Sequence, residues 1–170
     1  MKYAYGETVK ILPMLAPQDI VATATVSQYL DLNLAAGLVE ISIPFGNIAS
    51  TDSTGGVQVT VTVNPVADTS SSDSVETAIA FEYRLSAAVG TDTMGALAAA
   101  TSAGVQVGQA DDNKTLFVYV NPSDIPAQAS TGRFIRAELT PTAEVTATLV
   151  GGVTGRYIPR YAGASMPSST

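Results

Sequence analysis

The sequence contains no cysteine, no histidine and no tryptophan among its 170 residues. Without cysteine there is no disulfide, no thiolate nucleophile and no cysteine-ligated zinc. Without histidine, Ser-His-Asp and Cys-His catalysis are excluded, and the usual general base near neutral pH is missing. Carboxylate pairs and lysine chemistry remain possible. We therefore expect a protein that is not an enzyme and that carries no metal and no cofactor.

Positive charge is also scarce, with 8 Lys and Arg against 15 Asp and Glu and a net charge of −7. An acidic surface repels the phosphate backbone, so we expect no nucleic-acid partner. No apolar run approaches the ~20 residues that span a bilayer, so we expect no membrane partner. Tyr5, Glu7 and Pro13 interrupt the first segment, which makes a secretory signal a poor fit.

What the chain does have is period-two alternation, clearest in VQVTVTV, Val57 to Val63. Valine occupies every odd position and a polar residue every even one, which predicts a strand with one face in a core and one in water. AIAFEYRLS, Ala78 to Ser86, and RFIRAELT, Arg133 to Thr140, repeat the pattern. TLFVYVN, Thr115 to Asn121, is apolar on both faces, which predicts a strand that is central or covered by another chain.

Other segments are less regular. Val39, Ile41 and Ile43 share one face, and Pro44 is expected to end the pairing because it has no N–H to donate. GALAAATSAG, Gly95 to Gly104, is expected to be a loop with one turn of helix, since alanine and leucine favour helix but no amphipathic stripe is present. EVTATLV is expected to complete a hairpin with RFIRAELT.

The count is about eight short strands separated by turn signals. This predicts an all-β protein, a two-sheet β-sandwich for which a jelly roll fits the strand number. We expect one domain over residues 20–155, flanked by an extended N-terminal arm at 1–19 and an extended C-terminal arm at 156–170.

Three clusters suggest chemistry, and each has a plainer interpretation. Asp111 to Asn113 could supply calcium ligands, although such a sequence is far more often a turn. Glu82 and Glu138 could flank a sugar as in a glycosidase, although outward charges on strands are normally solvated. Gly151 to Gly155 could suggest a phosphate loop, but no GxxxxGK[ST] motif and no following helix are present.

Arginine and tyrosine are the residues that most often anchor protein interfaces, and they are concentrated near the chain ends. A merely solvated tail is the alternative interpretation. Phe117 and Tyr119, on the strand that is apolar on both faces, are candidates for a self-association surface. The predicted partner-binding residues are Tyr3, Tyr5, Ile11, Leu12, Phe117, Tyr119, Arg156, Tyr157, Arg160 and Tyr161.

The order of these parts resembles that of phage capsid cement (decoration) proteins. The opening Thr23-Ala24-Thr25 through Tyr29-Leu30-Asp31-Leu32, the valine-alternating strand led by glycine, AFEYRLSA and RFIRAELTPT carry the resemblance. It covers residues 20 to 150 loosely, with short, degenerate motifs, and the N-terminal arm has no counterpart in it.

The resemblance implies a jelly-roll-like domain on the outside of an icosahedral head. Such a domain binds across boundaries between major capsid protein subunits and braces the shell, often as a homodimer or homotrimer. Two alternatives remain open. One is a carbohydrate-binding sandwich of a phage fibre or cell-surface protein, in which Tyr83 or Phe134 would have to serve. The other is an enzyme using carboxylates only, for which no coherent constellation is evident.

Overall fold

A computed structural model describes residues 9–66, 76–87, 93–125, 129 and 132–159. Within these ranges the chain is mostly β-strand, with three single-turn 3₁₀ helices. None of these turns has the length or apolar character of a bilayer-spanning helix. The strands are β1 Lys10–Leu15, β2 Gln18–Asp19, β3 Thr25–Val26, β4 Leu30–Asp31, β5 Ala35–Ser50, β6 Gly56–Asn64, β7 Thr77–Ile79, β8 Phe81–Leu85, β9 Ala98–Ala100, β10 Val105–Gly108, β11 Thr115–Val120, β12 Phe134–Pro141, β13 Val145–Val150 and β14 Val153–Pro159.

The strands form two antiparallel sheets. Sheet 1 has the order β1-β14-β5-β11-β8-β9, and β13 pairs on one side with the second half of β5 and on the other with β2. Sheet 2 has the order β10-β6-β12-β3, with β4 also on β12 and β7 on β6. The predicted all-β, two-sheet sandwich is therefore confirmed, and its strand order is compatible with a jelly roll.

The core lies between the two sheets and follows the alternation in the sequence. Val57, Val59, Val61 and Val63 of β6 are each at most 1% exposed. They pack within one cluster with the inward residues of the other long strands, which include Ile135 and Leu139 of β12, Ile41 and Ile43 of β5, and Leu116 and Val118 of β11. Burying one such aliphatic side chain contributes about 1.5–3 kcal/mol. The strand β11 is central in sheet 1, between β5 and β8, as the apolar pattern on both of its faces predicted.

Pro44 does not end the strand that contains it. β5 continues to Ser50, and Pro44 is where it changes partners, from β11 and β14 before it to β13 after it. Proline lacks a donor but keeps its carbonyl, which here accepts a hydrogen bond from the Gly151 N–H at 2.7 Å. Pro44 is therefore tolerated where β5 changes its pairing strands, because its carbonyl still takes part in the hydrogen bonding between strands.

Two local expectations were wrong. Ala98–Ala100 is a strand, β9, because a free edge of β8 is available for pairing and gives its backbone groups partners. EVTATLV does not form a hairpin with β12, because β13 crosses to the other sheet and pairs with β5.

The described parts of both predicted arms belong to the sandwich. β1 pairs with β14, with Lys10 opposite Tyr157 and Leu12 opposite Gly155. Met14 is only 1% exposed, which anchors β1 against the core. This corrects the expected boundaries, because residues 10–15 and 156–159 are strands rather than extended arms. Tyr3, Tyr5, Arg160 and Tyr161 lie outside the described residues.

The turn between β9 and β10 gives a stability prediction. Gly104 has φ +84°, and a Cβ there would collide with the Val59 carbonyl oxygen. Gly104→Ala should lower the free energy of unfolding by about 1–3 kcal/mol, measured by urea denaturation. Gly37→Ala is the matched control, because a Cβ at Gly37 meets nothing within 4 Å. Equal stabilities of the two variants would contradict the assigned turn.

Candidate protein-binding face

The outer face of sheet 1, the side turned away from the core, carries a continuous row of side chains across six strands. Residues that lie directly opposite each other on neighbouring strands share a face of the sheet. The pairing partners run in an unbroken series through β1, β14, β5, β11, β8 and β9. This row is Ile11, Arg156, Glu40, Tyr119, Glu82 and Ala99.

Four of the ten predicted partner-binding residues meet on this face. Ile11, Arg156 and Tyr119 belong to the row itself, and Phe117 lies two residues before Tyr119, in the neighbouring row with Ser42 and Arg84. The four come from strands distant in sequence, and only the antiparallel register brings them together.

The centre of the row is electrostatically balanced. Arg156 Nη1 donates to Glu40 Oε1 at 3.0 Å, and both side chains are roughly a quarter to a third exposed. A pair with that exposure contributes at most about 1 kcal/mol. Burial raises the pKa of the Tyr119 phenol, the Glu40 carboxylate raises it further, and the Arg84 charge opposes both effects. Tyr119 therefore stays neutral and offers an aromatic ring with a polar tip.

One end of the face is apolar and open. Ile11 is 52% exposed, Leu38 53% and Ile158 56%. Leu38 and Ile158 line a shallow depression together with Glu40 and Arg156. Large apolar side chains that are half exposed and adjacent to Tyr and Arg make the composition typical of the centre of a protein interface.

Sequence reasoning missed Leu38, Glu40 and Ile158 as members of this face. The sequence does indicate that Leu38 and Glu40 face away from Val39, because they are its neighbours on a predicted strand. Nothing in the sequence paired β1 with β14, however, so the neighbours of Ile158 could not be inferred.

Leu12 and Tyr157 lie on the other side of sheet 1. Leu12 is opposite Gly155 and Tyr157 is opposite Val39, and both pack against the core as half-buried residues. Burial raises the pKa of Tyr157, and the Asp31 charge adds to the rise. β1 and β14 direct alternate residues inward, but Tyr157 also lines the depression beside Leu38 and Ile158, so the partner-binding role of Leu12 and Tyr157 stays a prediction.

The three clusters weighed for chemistry have structural roles or the wrong geometry. Asp112 Oδ1 accepts the Ile48 N–H at 2.7 Å, and Asp111 pairs with Lys114 at 2.9 Å. Among the described residues no group of three or more acidic side chains is placed to hold a metal ion. Glu82 is on sheet 1 and Glu138 is on sheet 2, so the two carboxylates cannot flank one sugar.

The glycines near the end of the chain serve the backbone and the packing. Gly152 has φ +103°, and a Cβ there would lie 2.8 Å from the Leu15 carbonyl oxygen. At Gly155 a Cβ would lie 2.7 Å from Leu30 Cδ1, where β14 approaches the core. Neither position indicates a phosphate loop.

The two aromatics required by the carbohydrate alternative are engaged inside the molecule. Tyr83 points toward the core and meets the Phe81 ring edge-on at 6.4 Å. Phe134 meets the Tyr29 ring at 6.3 Å, with the Arg133 guanidinium 4.8 Å from its centroid. Neither ring is a free platform on which a sugar can stack.

Sheet 2 also buries a charge, at a position that the alternation of RFIRAELT predicts to face water. Arg136 is 9% exposed, pairs with Glu76 at 2.5 Å and lies 4.9 Å from the centroid of the Tyr29 ring. The Tyr29 hydroxyl donates to the same Glu76 carboxylate. The charges of Arg136 and Glu76 pair with each other, so the outer face of sheet 1 is the better candidate for binding a partner.

Comparisons with known proteins add little. No family model matches the chain, and no curated protein matches it. A chain in the structure of infectious bursal disease virus, Gx strain, aligns with 95% of this chain and 45% of its own length, at 11% identity and a TM-score of 0.20. The Gt strain gives 89% and 41%, at 13% identity and a TM-score of 0.19. The chain thus spans less than half the length of these chains, and TM-scores of this size support no conclusion about function.

The row makes a prediction about Tyr119. Glu40→Gln removes a charge that raises the phenol pKa, so the Tyr119 pKa should fall toward that of an ordinary tyrosine. The measurement is an ultraviolet titration, with Tyr119→Phe identifying the signal. Glu138→Gln, on sheet 2, should leave it unchanged. An unaltered Tyr119 pKa in Glu40→Gln would mean that the two side chains are not neighbours.

Asp31 gives a prediction about acid stability. Partial burial works against ionisation, but two hydrogen bonds from Arg133, at 2.6 and 3.0 Å, and one from the Asn33 N–H outweigh it and lower the Asp31 pKa. Its stabilisation is complete above the unfolded pKa of about 4 and is lost as pH falls through the lower folded value.

Asp31→Asn should therefore be less stable than the wild type near neutral pH, and the two should converge in acid. Denaturant unfolding across pH 2–7, about two units below and three above the ordinary carboxyl pKa, measures the difference. Asp124→Asn, at an exposed carboxylate, is the control. A difference between wild type and Asp31→Asn that does not change with pH would contradict the assignment.

Proposed function

We propose that the protein is a structural virion protein, a capsid cement protein that binds the outside of an icosahedral phage head and bridges major capsid protein subunits. The observation that carries the proposal is the convergence of Ile11, Phe117, Tyr119 and Arg156 on one face of sheet 1. The sequence predicts all four as partner contacts, and the resemblance to cement proteins rests on other segments.

The chemistry of the face supports a protein partner. Its row combines an aromatic ring, a neutralised Arg–Glu pair and half-exposed aliphatic side chains. Arg156 and Glu40 partly neutralise each other through their ion pair, and covering Leu38 and Ile158 removes apolar area from water. A row that crosses six strands suits a broad subunit surface better than a small molecule.

The start of β1 and the end of β14 fit the same orientation. β1 begins and β14 ends beside Leu38 and Ile158, so the segments carrying Tyr3, Tyr5, Arg160 and Tyr161 start next to the apolar end of the face. In the proposal, these four residues extend the contact made by the face. Many copies on one shell then convert a modest individual affinity into a large combined stabilisation.

The test measures binding to purified heads assembled without the protein. Leu38→Asp and Ile158→Asp each remove an apolar contact and bring a charge to the interface, so each should weaken binding about 10–100-fold. Because both side chains are more than half exposed, the variants should unfold at the wild-type temperature.

Leu149→Asp is the matched control, since Leu149 is 55% exposed but belongs to β13, off the six-strand path that carries the row. Occupancy on heads, and the temperature at which heads release DNA, are the two readouts. Binding by both patch variants equal to that of the control, or no binding by the wild type, would refute the proposal.

A further inference from the structure

One side of the sandwich is formed by the last strands of both sheets. β9 ends sheet 1, β10 ends sheet 2, and the tight turn Thr101–Gly104 joins them. The paired segment begins before β9, because Met94 is opposite Ser86 and the Gly95 N–H donates to the Leu85 carbonyl at 2.7 Å. Met94–Ala100 therefore runs along β8, and no described strand pairs with its other side.

This side wall carries no charge. Thr93 to Ala110 is the longest stretch of the sequence without Asp, Glu, Lys or Arg, in a chain of net charge −7. Two copies of an acidic protein repel each other over most of their surfaces. An uncharged wall is a surface across which they can approach without that repulsion.

Among the other described edges, β1 and the short strands β3 and β4 have features that oppose pairing, whereas β10 continues the same uncharged wall and β9 itself is three residues long. β1 carries Lys10 and Pro13, and β3 and β4 are two residues long. Charged residues, proline and short length are the usual protections of a free edge. Met94–Ala100 has no charge and no proline, and it exposes 41% of Met94 and 45% of Leu97.

We propose that Met94–Ala100 pairs with the same segment of a second copy, antiparallel, about a two-fold axis. An antiparallel strand paired with itself satisfies both edges with one symmetric contact. The alanines at 96, 98 and 99 leave room for two backbones to meet. Ala99 ends the row on the outer face, so the pairing joins the rows of two copies into one surface.

The proposal does not depend on the proposed function, and the test uses the purified full chain alone. Sedimentation should give the mass of two chains. Leu97 lies near the centre of the paired segment, so Leu97→Glu places two like charges close together across the axis and should weaken dimerisation at least about tenfold. Ile11→Glu is the matched control, with similar exposure and the same charge change on the opposite edge of sheet 1, and it should remain dimeric.

Backbone hydrogen exchange gives a second readout. The outward amides of Met94–Ala100 should become protected as protein concentration rises, and Leu97→Glu should abolish that protection. A monomeric or trimeric wild type, or a dimer unaffected by Leu97→Glu, would overturn the proposal. The proposal would also be overturned if the wild type is monomeric in solution and Leu97→Glu binds heads more weakly than the wild type, since the edge would then pair with the shell.

If Ile11→Glu forms the dimer but no longer binds heads, the result would concern only the proposed function of the outer face.

Discussion

The structure depends on the contact between the inward faces of two sheets, which requires an apolar side chain at every second residue of each long strand. The β6 valines and the inward residues of β5, β11 and β12 meet this requirement and are almost entirely buried. The alternation that fills the core leaves the intervening residues outside, and the outer face of sheet 1 is built from those residues. The two-residue alternation along the strands therefore produces both the core and the candidate binding face.

β5 links the two. Its first half is flanked by β14 and β11, so its outward residue Glu40 lies in the middle of the row and Leu38, two residues earlier, lies at the apolar end of the face. At Pro44 it passes to β13, and the outer face therefore ends there. A proline that changes the partners of a long strand sets the extent of the surface as well as the path of the chain.

The sequence predicted well those features that depend on local pattern. The burial of Val57 to Val63, the central place of β11 and the sandwich itself all follow from periodicity. It predicted poorly whatever depends on register between distant strands. Ile11 and Arg156 were both suspected as contacts, yet nothing in either segment indicated that they are neighbours. The half-burial of Leu12 and Tyr157 does not follow from the sequence, because β1 and β14 are not evident there as strands. The burial of Arg136 does not follow from it either, because its ion-pair partner Glu76 lies 60 positions away in the chain.

The pairing of the first long strand with the last has a consequence for engineering the chain. Lys10 and Tyr157 are opposite each other in the ladder, so their Cα atoms are about 5 Å apart. With the residues before Lys10 and after Tyr157 removed, the backbone could therefore be closed into a ring by a short linker and reopened elsewhere, for example at the exposed turn Thr51–Thr54. A circular permutant of this kind would keep both sheets while presenting its new ends at a different place on the molecule.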